Sequence, residues 1–234
     1  MKLLALDTAT EACSAALLID DEIHERFEIT PRAHARLLLP MLDGLLAEAG
    51  LKPAQLDAIA FGRGPGSFTG VRIAASVAQG IAFAADLPVL PVSTLAALAR
   101  DALQRNPAVQ VFAAIDARMG EIYWAAYAPD APDTSGAQGE PRALTEEQVT
   151  PALAVTVPAG TDWFGIGTGW GEYEQALRAH FAATLRGIDA TALPRAVHIA
   201  RLAALDFAAG RAVAAEQAQP VYLRNQVAHK PAGR

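Results

Sequence analysis

The residues with the most evident chemical potential stand in one short stretch, Gly62-Arg63-Gly64-Pro65-Gly66-Ser67-Phe68-Thr69-Gly70, followed by Val71-Arg72. Glycine permits positive φ and lets another group approach the backbone closely. N–H groups at the head of a following helix attract anions, so a phosphate cradle is one use for such a turn. The P-loop spacing is absent, because no Lys-Ser/Thr pair follows the last glycine. Ser67 is not in a nucleophile elbow, since Pro65 and Thr69 occupy the positions that need glycine. The preferred reading is a tight turn with a structural or partner-facing role, with phosphate contact as the alternative.

Other reactive residues are sparse. Asp7 ends an apolar run and is followed by Thr8 and Thr10; Asp116 ends a second such run, with Arg118 behind it. Cys13, the only cysteine, sits in an apolar segment without an evident base and reads as a buried thiol. A single cysteine excludes an internal disulfide and fits a reducing compartment. The histidines are His24, His34, His180, His198 and His229. No two have zinc-like spacing, so no metal is expected.

The elements that must position these groups follow from periodicity. Lys2–Asp7, Ala12–Ile19 and the alternating Glu22–Ile29 predict a three-stranded meander. A helix from Pro31 to about Ala49 places Leu38, Met41, Leu42, Leu45 and Leu46 at helical spacing, with Gly50 as its stop and a bend expected at Pro40. Strand Leu56–Phe61, the glycine turn and helix Val71–Ala85 come next. A strand over 88–92 and a helix capped by Ser93 or Thr94 follow. The landmarks then recur. Val109–Asp116 echoes Leu3–Asp7, Glu121–Tyr127 echoes Ala12–Ile19, and Phe164-Gly165-Ile166-Gly167 echoes Phe61-Gly62-Arg63-Gly64. Matching intervals imply a duplicated βββαβα unit. The stretch 129–141 reads as an exposed loop, Val197–Ala209 as a last helix, and the polar tail from Arg224 as mobile.

In helix Val71–Ala85, Ser76, Gly80 and Ala84 recur every fourth residue, as do Ala74, Ala78 and Ala82. A mid-helix glycine costs about 1 kcal/mol against alanine. Close packing of another helix on a small-residue face is the expected compensation, and the pattern leaves open whether that helix belongs to the same chain. Composition narrows the rest. A net charge of −6 over 234 residues argues against a broad nucleic-acid surface. The apolar runs are interrupted too early to span a bilayer, and Met1-Lys2-Leu3 leads straight into a strand, so neither membrane span nor signal peptide is expected. A cytoplasmic protein is the expectation.

Two tandem βββαβα units resemble the actin-like (ribonuclease H-like) fold, an α/β class with mixed sheets. More closely, the chain resembles the bacterial TsaB (YeaZ) family. The likeness rests on Leu6-Asp7-Thr8-Ala9-Thr10, Gly64–Arg72, Asp116-Ala117-Arg118 with Glu121-Ile122-Tyr123, and Pro220-Val221-Tyr222-Leu223-Arg224. It implies lobes over 1–105 and 106–215 with an extended tail over 216–234. It also implies a non-catalytic subunit that works with TsaD and the ATPase TsaE to form threonylcarbamoyl-adenosine beside the anticodon of tRNAs. TsaD would dock on helices of the first lobe, and tRNA would be engaged indirectly. The same surface would support a homodimer when the chain is alone. The implied partner-binding residues are His34, Leu38, Met41 and Leu45 on the first helix and Arg72, Ser76, Gly80 and Ala84 on the second. Those that would face a nucleotide or phosphate are Asp7, Thr8, Thr10, Gly64, Gly66, Ser67, Asp116 and Arg118.

No cofactor is expected within the chain, with a nucleotide at the partner interface as an option. Actin-like ATPases place a metal-associated carboxylate where Asp7 stands, but the glycine-rich hairpins are eroded here to Ala9, Glu11, Ala12 and to Arg118, Met119, Gly120. The metal-binding relatives pair two histidines one helical turn apart. His34 lies in that region, and Leu38 follows where the second would stand. Two alternatives stand beside the subunit reading: an ATP-dependent kinase or ATPase of the same fold, and a protease acting on TsaD.

Overall fold

A computed structural model describes residues 1–107, 109–130 and 140–224. Its first half runs β1 (Lys2–Asp7), β2 (Ala12–Ile19), β3 (Glu22–Ile29), α1 (His34–Glu48), β4 (Ala58–Gly64), α2 (Phe68–Ala85), β5 (Val89–Ser93) and α3 (Thr94–Arg105). The second half runs β6 (Gln110–Arg118), β7 (Glu121–Pro129), β8 (Pro141–Ala143), β9 (Gln148–Pro151), β10 (Trp163–Ile166), α4 (Thr168–Phe181), β11 (Leu185–Asp189) and α5 (Ala196–Ala208).

The first sheet has the order β3-β2-β1-β4-β5. β1 and β2 are buried on both faces, as their unbroken apolar runs require, whereas β3 alternates and forms an edge. β4 and β5 are parallel to β1. The second sheet, β11-β10-β6-β7-β8, repeats that order in reverse listing, with β9 added on β7. The repeat extends to the backbone: Gly64, the last residue of β4, has φ +100°, and Gly167, between β10 and α4, has φ +103°. The α/β fold with two mixed sheets agrees with the sequence expectation.

α2 begins three residues before the expected Val71, because Ser67 caps it and its Oγ accepts from Gly70 N at 3.4 Å. α1 continues through Pro40. β8, β9 and β11 had no sequence signal: they are three to five residues long and carry Arg, Gly and Pro inside. The 131–139 part of the expected loop and the tail from 225, including His229 and Lys230, lie outside the described residues.

Four apolar layers hold the sheets. α1 and α2 cover one face of the first sheet through Leu38, Leu42, Leu45, Ala74 and Ala78. α4 covers one face of the second around Phe112, Trp124, Trp163, Trp170 and Phe181. The remaining faces are covered by exchange. α3, at the end of the first half, packs on β6 and β10 through Leu95, Leu98 and Ala102. α5, from the second half, packs on β1 and β4 through Ala196, Ile199 and Ala203. Both helices therefore cross the division near residue 105. The bidentate Arg63–Glu147 pair, both bonds 3.0 Å, ties the halves again at the edge of the glycine turn.

Candidate functional site

The glycine turn between β4 and α2 is filled by the protein itself. The hairpin joining β1 to β2 lies directly against it. Ser67 N donates to Ala9 O at 2.7 Å, and Thr8 Oγ1 donates to Gly70 O at 2.7 Å. A Cβ on Gly70 would lie 1.9 Å from Thr8 O, and one on Gly66 would lie 2.4 Å from Ala9 O. Contacts that close explain why the sequence has glycine at both positions. The space that a phosphate would use in a cradle holds residues 8–10 instead.

Asp7 sits beneath this clasp. It is fully buried; its Oδ1 accepts from Ala9 N at 3.0 Å, and its Oδ2 has no partner among the described residues. A Cβ at Gly62 would meet that oxygen at 1.7 Å, so Gly62 leaves room for the carboxyl. Burial pushes the Asp7 carboxyl up to about 7, against a smaller opposing effect of the Ala9 hydrogen bond. Neighbouring Cys13 is also buried, and burial together with the Asp7 and Glu28 charges pushes its thiol up to about 11, which makes it inert.

The two halves enclose a cleft of about 730 Å³. Thr10, Gly66, Ser67, Asp116 and Arg118 line it; Asp7, Thr8 and Gly64 do not. This corrects the nucleotide-facing reading of those three. Asp7 and Thr8 are buried behind the hairpin, and Gly64 faces the tail, where a Cβ would lie 3.1 Å from Val221 O. Asp116 is paired by its own turn and by α4. Oδ1 accepts from Arg118 N at 2.7 Å and from Tyr173 OH at 3.2 Å, and Oδ2 pairs with Arg118 at 2.8 Å. Arg224 is paired with Glu121. Glu11 and Glu172 add negative charge to the lining. Two of its three lining arginines, Arg118 and Arg224, are neutralised at Asp116 and Glu121, while Arg32 has no ion pair among the described residues. Ser67 Oγ serves as the cap of α2.

The surface of α1 and α2 sorts the implied docking residues into two groups. Leu38, Met41 and Leu45 are buried in the core under the first sheet. As docking residues they are corrected to core residues, because the helical stripe that contains them faces β2. His34 lines the cleft at the start of α1, with a buried Nε2 that has no partner among the described residues. On α2 the two small-residue faces part company. Ala74, Ala78 and Ala82 are buried, while Arg72, Ser76, Gly80 and Ala84 are exposed. Apart from its own helix backbone, no atom of the described residues lies within 4 Å of a Cβ built on Gly80. Beside it Phe83 is 76% exposed, and on α1 Leu39 is 53% exposed. The sequence pattern already held both residues: each lies off its helix's buried stripe, where an apolar side chain has nothing of its own to cover. α2 is long and apolar enough by length and composition to cross a membrane, but its alanine face is packed on the sheet.

The tail was read as an extended piece and is more than that. Val221 N donates to Arg63 O at 2.8 Å and Gln79 Nε2 donates to Ala218 O at 3.0 Å, so the chain from 218 to 224 straps the glycine turn and α2. Among the described residues no three side chains of His, Cys, Asp or Glu converge as metal ligands would. His198 is buried between Arg100 and Asp101, at 3.3 and 3.5 Å, and His180 meets Ala152 O at 3.1 Å.

Residues 14–232 match the family model described as TsaD: tRNA N6-adenosine threonylcarbamoyltransferase. The chain is 44% identical to the tRNA threonylcarbamoyladenosine biosynthesis protein TsaB of Haemophilus influenzae, across 98% of this chain and 96% of that one. It is 43% identical to the protein of that name from Escherichia coli K12, across 98% and 97%. The solved structure of YeaZ from Pseudomonas aeruginosa superposes with a TM-score of 0.86 at 50% identity, covering 95% of this chain and 99% of the other. Likeness over both full lengths, in sequence and in fold, is what common descent leaves, and the chain belongs to the TsaB (YeaZ) family.

Proposed function

We propose that the protein serves tRNA threonylcarbamoyladenosine biosynthesis as a non-catalytic subunit, docking a TsaD-family protein on the exposed face of α1 and α2. The carrying observation is Gly80, an exposed mid-helix glycine with open space where a side chain would be, flanked by Ser76, Ala84 and the exposed Phe83. A glycine that weakens its own helix and contacts nothing within the chain is accounted for when a second helix lies across it. The names of the full-length relatives support the pathway. The filled glycine turn and the self-paired Asp116 and Arg118 support a chain without nucleotide turnover of its own. A TsaE-like ATPase joins the pair, tRNA is engaged through the partner, and the work is done in the cytoplasm. Alone, the protein covers the same face with a second copy.

Reconstitution tests this. The TsaD-family protein, the ATPase, tRNA and the threonylcarbamoyl donor are combined with and without the chain. Modification is expected to fall to background without it, and calorimetry on the isolated chain should show no binding of magnesium ATP at micromolar concentrations. Undiminished modification in its absence, or ATP hydrolysis by the isolated chain, would overturn the reading.

A further inference from the structure

Arg72 is the fifth residue of α2, one helical turn before Ser76 on the exposed face. Its guanidinium carbon stands 3.3 Å from the Phe68 ring centroid and 5.1 Å from that of Tyr222. Its Nε donates to Tyr222 OH at 2.9 Å. Tyr222 is itself held, because Val221 is bonded to the end of β4 and Ala218 to Gln79 of α2. The arginine is thus stacked and tethered while remaining exposed. Its two terminal nitrogens make no hydrogen bond or ion pair with any described residue. Much of the rotamer freedom that an arginine surrenders on pairing is surrendered here in advance.

The surroundings say what such a fork would meet. β3 and β4 both run parallel to β1, so α1 and α2, which follow them, start at the same end of the sheet. That end carries Arg32, Arg36 and Arg72, all exposed and without an ion pair among the described residues. Neither first turn contains an acidic residue. Two helix N-termini add positive potential. Farther along, the face is small and apolar and suits a helix.

We infer that Arg72, clamped by Phe68 and Tyr222, is a preformed anchor for a carboxylate on the facing helix of the docked partner. This rests on the docking reading above and adds its charge recognition and orientation. Arg and aromatic residues clustered beside small ones are the usual makeup of an interface hot spot. A planar fork engages a carboxylate through two parallel bonds, which a lysine cannot do. The chain's net charge of −6 makes an RNA phosphate the poorer match for this anchor.

The test is calorimetric titration of the TsaD-family protein from the same cell with wild type, Arg72→Met, Arg72→Lys, Tyr222→Phe and Gly80→Leu, at low and high salt. Arg72→Met should weaken pairing about 30-fold or more and flatten its salt dependence. Arg72→Lys should keep the charge and still lose about fivefold. Tyr222→Phe should weaken pairing severalfold, because it frees the guanidinium. Thermal melts of the isolated variants check that the fold persists, since these side chains are exposed. If Arg72→Met and Arg72→Lys pair as wild type while Gly80→Leu does not, the docking face stands and the anchor is wrong. If Gly80→Leu also pairs normally, the docking reading itself fails. Loss of tRNA binding with intact pairing would mean that Arg72 recognises phosphate, which overturns the inference.

Discussion

Replacing Gly80 with leucine should leave the isolated protein folded and abolish its pairing with the TsaD-family partner. The two halves of that expectation have separate causes. Among the described residues nothing outside the helix's own backbone stands within 4 Å of a new Cβ, so the side chain projects into open space and strains nothing. Removing a helical glycine should stabilise α2 by up to about 1 kcal/mol. At a close helix crossing the same side chain has no room. Overpacking of this kind costs about 1–3 kcal/mol in a core that can relax. At a crossing set by backbone contact it should reach the upper end, weakening pairing on the order of 100-fold. Melting of the variant alone and its co-elution with the partner check the two halves separately. A variant that melts normally and still pairs would put the partner elsewhere.

The second large effect concerns Asp7. In the folded protein its carboxyl sits at about 7, well above the ordinary value of 3.8. The folded state therefore holds this proton more tightly than the unfolded chain does. Its contribution to stability is fully present below pH 4, fades as pH rises toward 7, and is gone above it. Roughly three decades at about 1.4 kcal/mol each give a cost near 4 kcal/mol for keeping a buried charge at pH 8. Asp7→Asn, which keeps the acceptor for Ala9 N, should be more stable than wild type by about that much at pH 8 and by little at pH 4. Denaturant unfolding of both proteins across pH 4–8 measures the difference. A difference that does not change with pH would show that Asp7 is not the titrating group. If magnesium ATP reversed that order at pH 8 and made the wild type the more stable protein, Asp7 would be a metal-associated carboxylate and the kinase alternative would return.

Much of the architecture was legible because burial on both faces leaves an unmistakable trace. β1, β2, β6 and β7 are continuous apolar runs, and the residues from Leu38 to Leu46 mark one apolar stripe of a helix. The repeat was visible for a related reason, since Gly64 and Gly167 need the same left-handed backbone. What the pattern hid was which sheet each helix covers. α3 and α5 have ordinary amphipathic stripes, and nothing in a stripe records that its sheet lies in the other half. The same blindness misassigned Leu38, Met41 and Leu45: spacing identifies an apolar face but not whether the chain or a partner covers it. On α2 two small faces looked alike, and only the coordinates separate the alanine face on the sheet from Ser76, Gly80 and Ala84 in the open. The glycine turn was ambiguous in the same way, because a backbone that admits a phosphate equally admits the Thr8–Thr10 hairpin.

Amide hydrogen exchange of the protein, alone and saturated with the TsaD-family protein, tests the central claim most directly. Slower exchange is expected in the complex along α1 and α2, over 34–48 and 68–85, with the cleft-lining turn after Asp116 unchanged. Protection confined to that turn and to residues 8–11, with both helices exchanging as in the free protein, would contradict it.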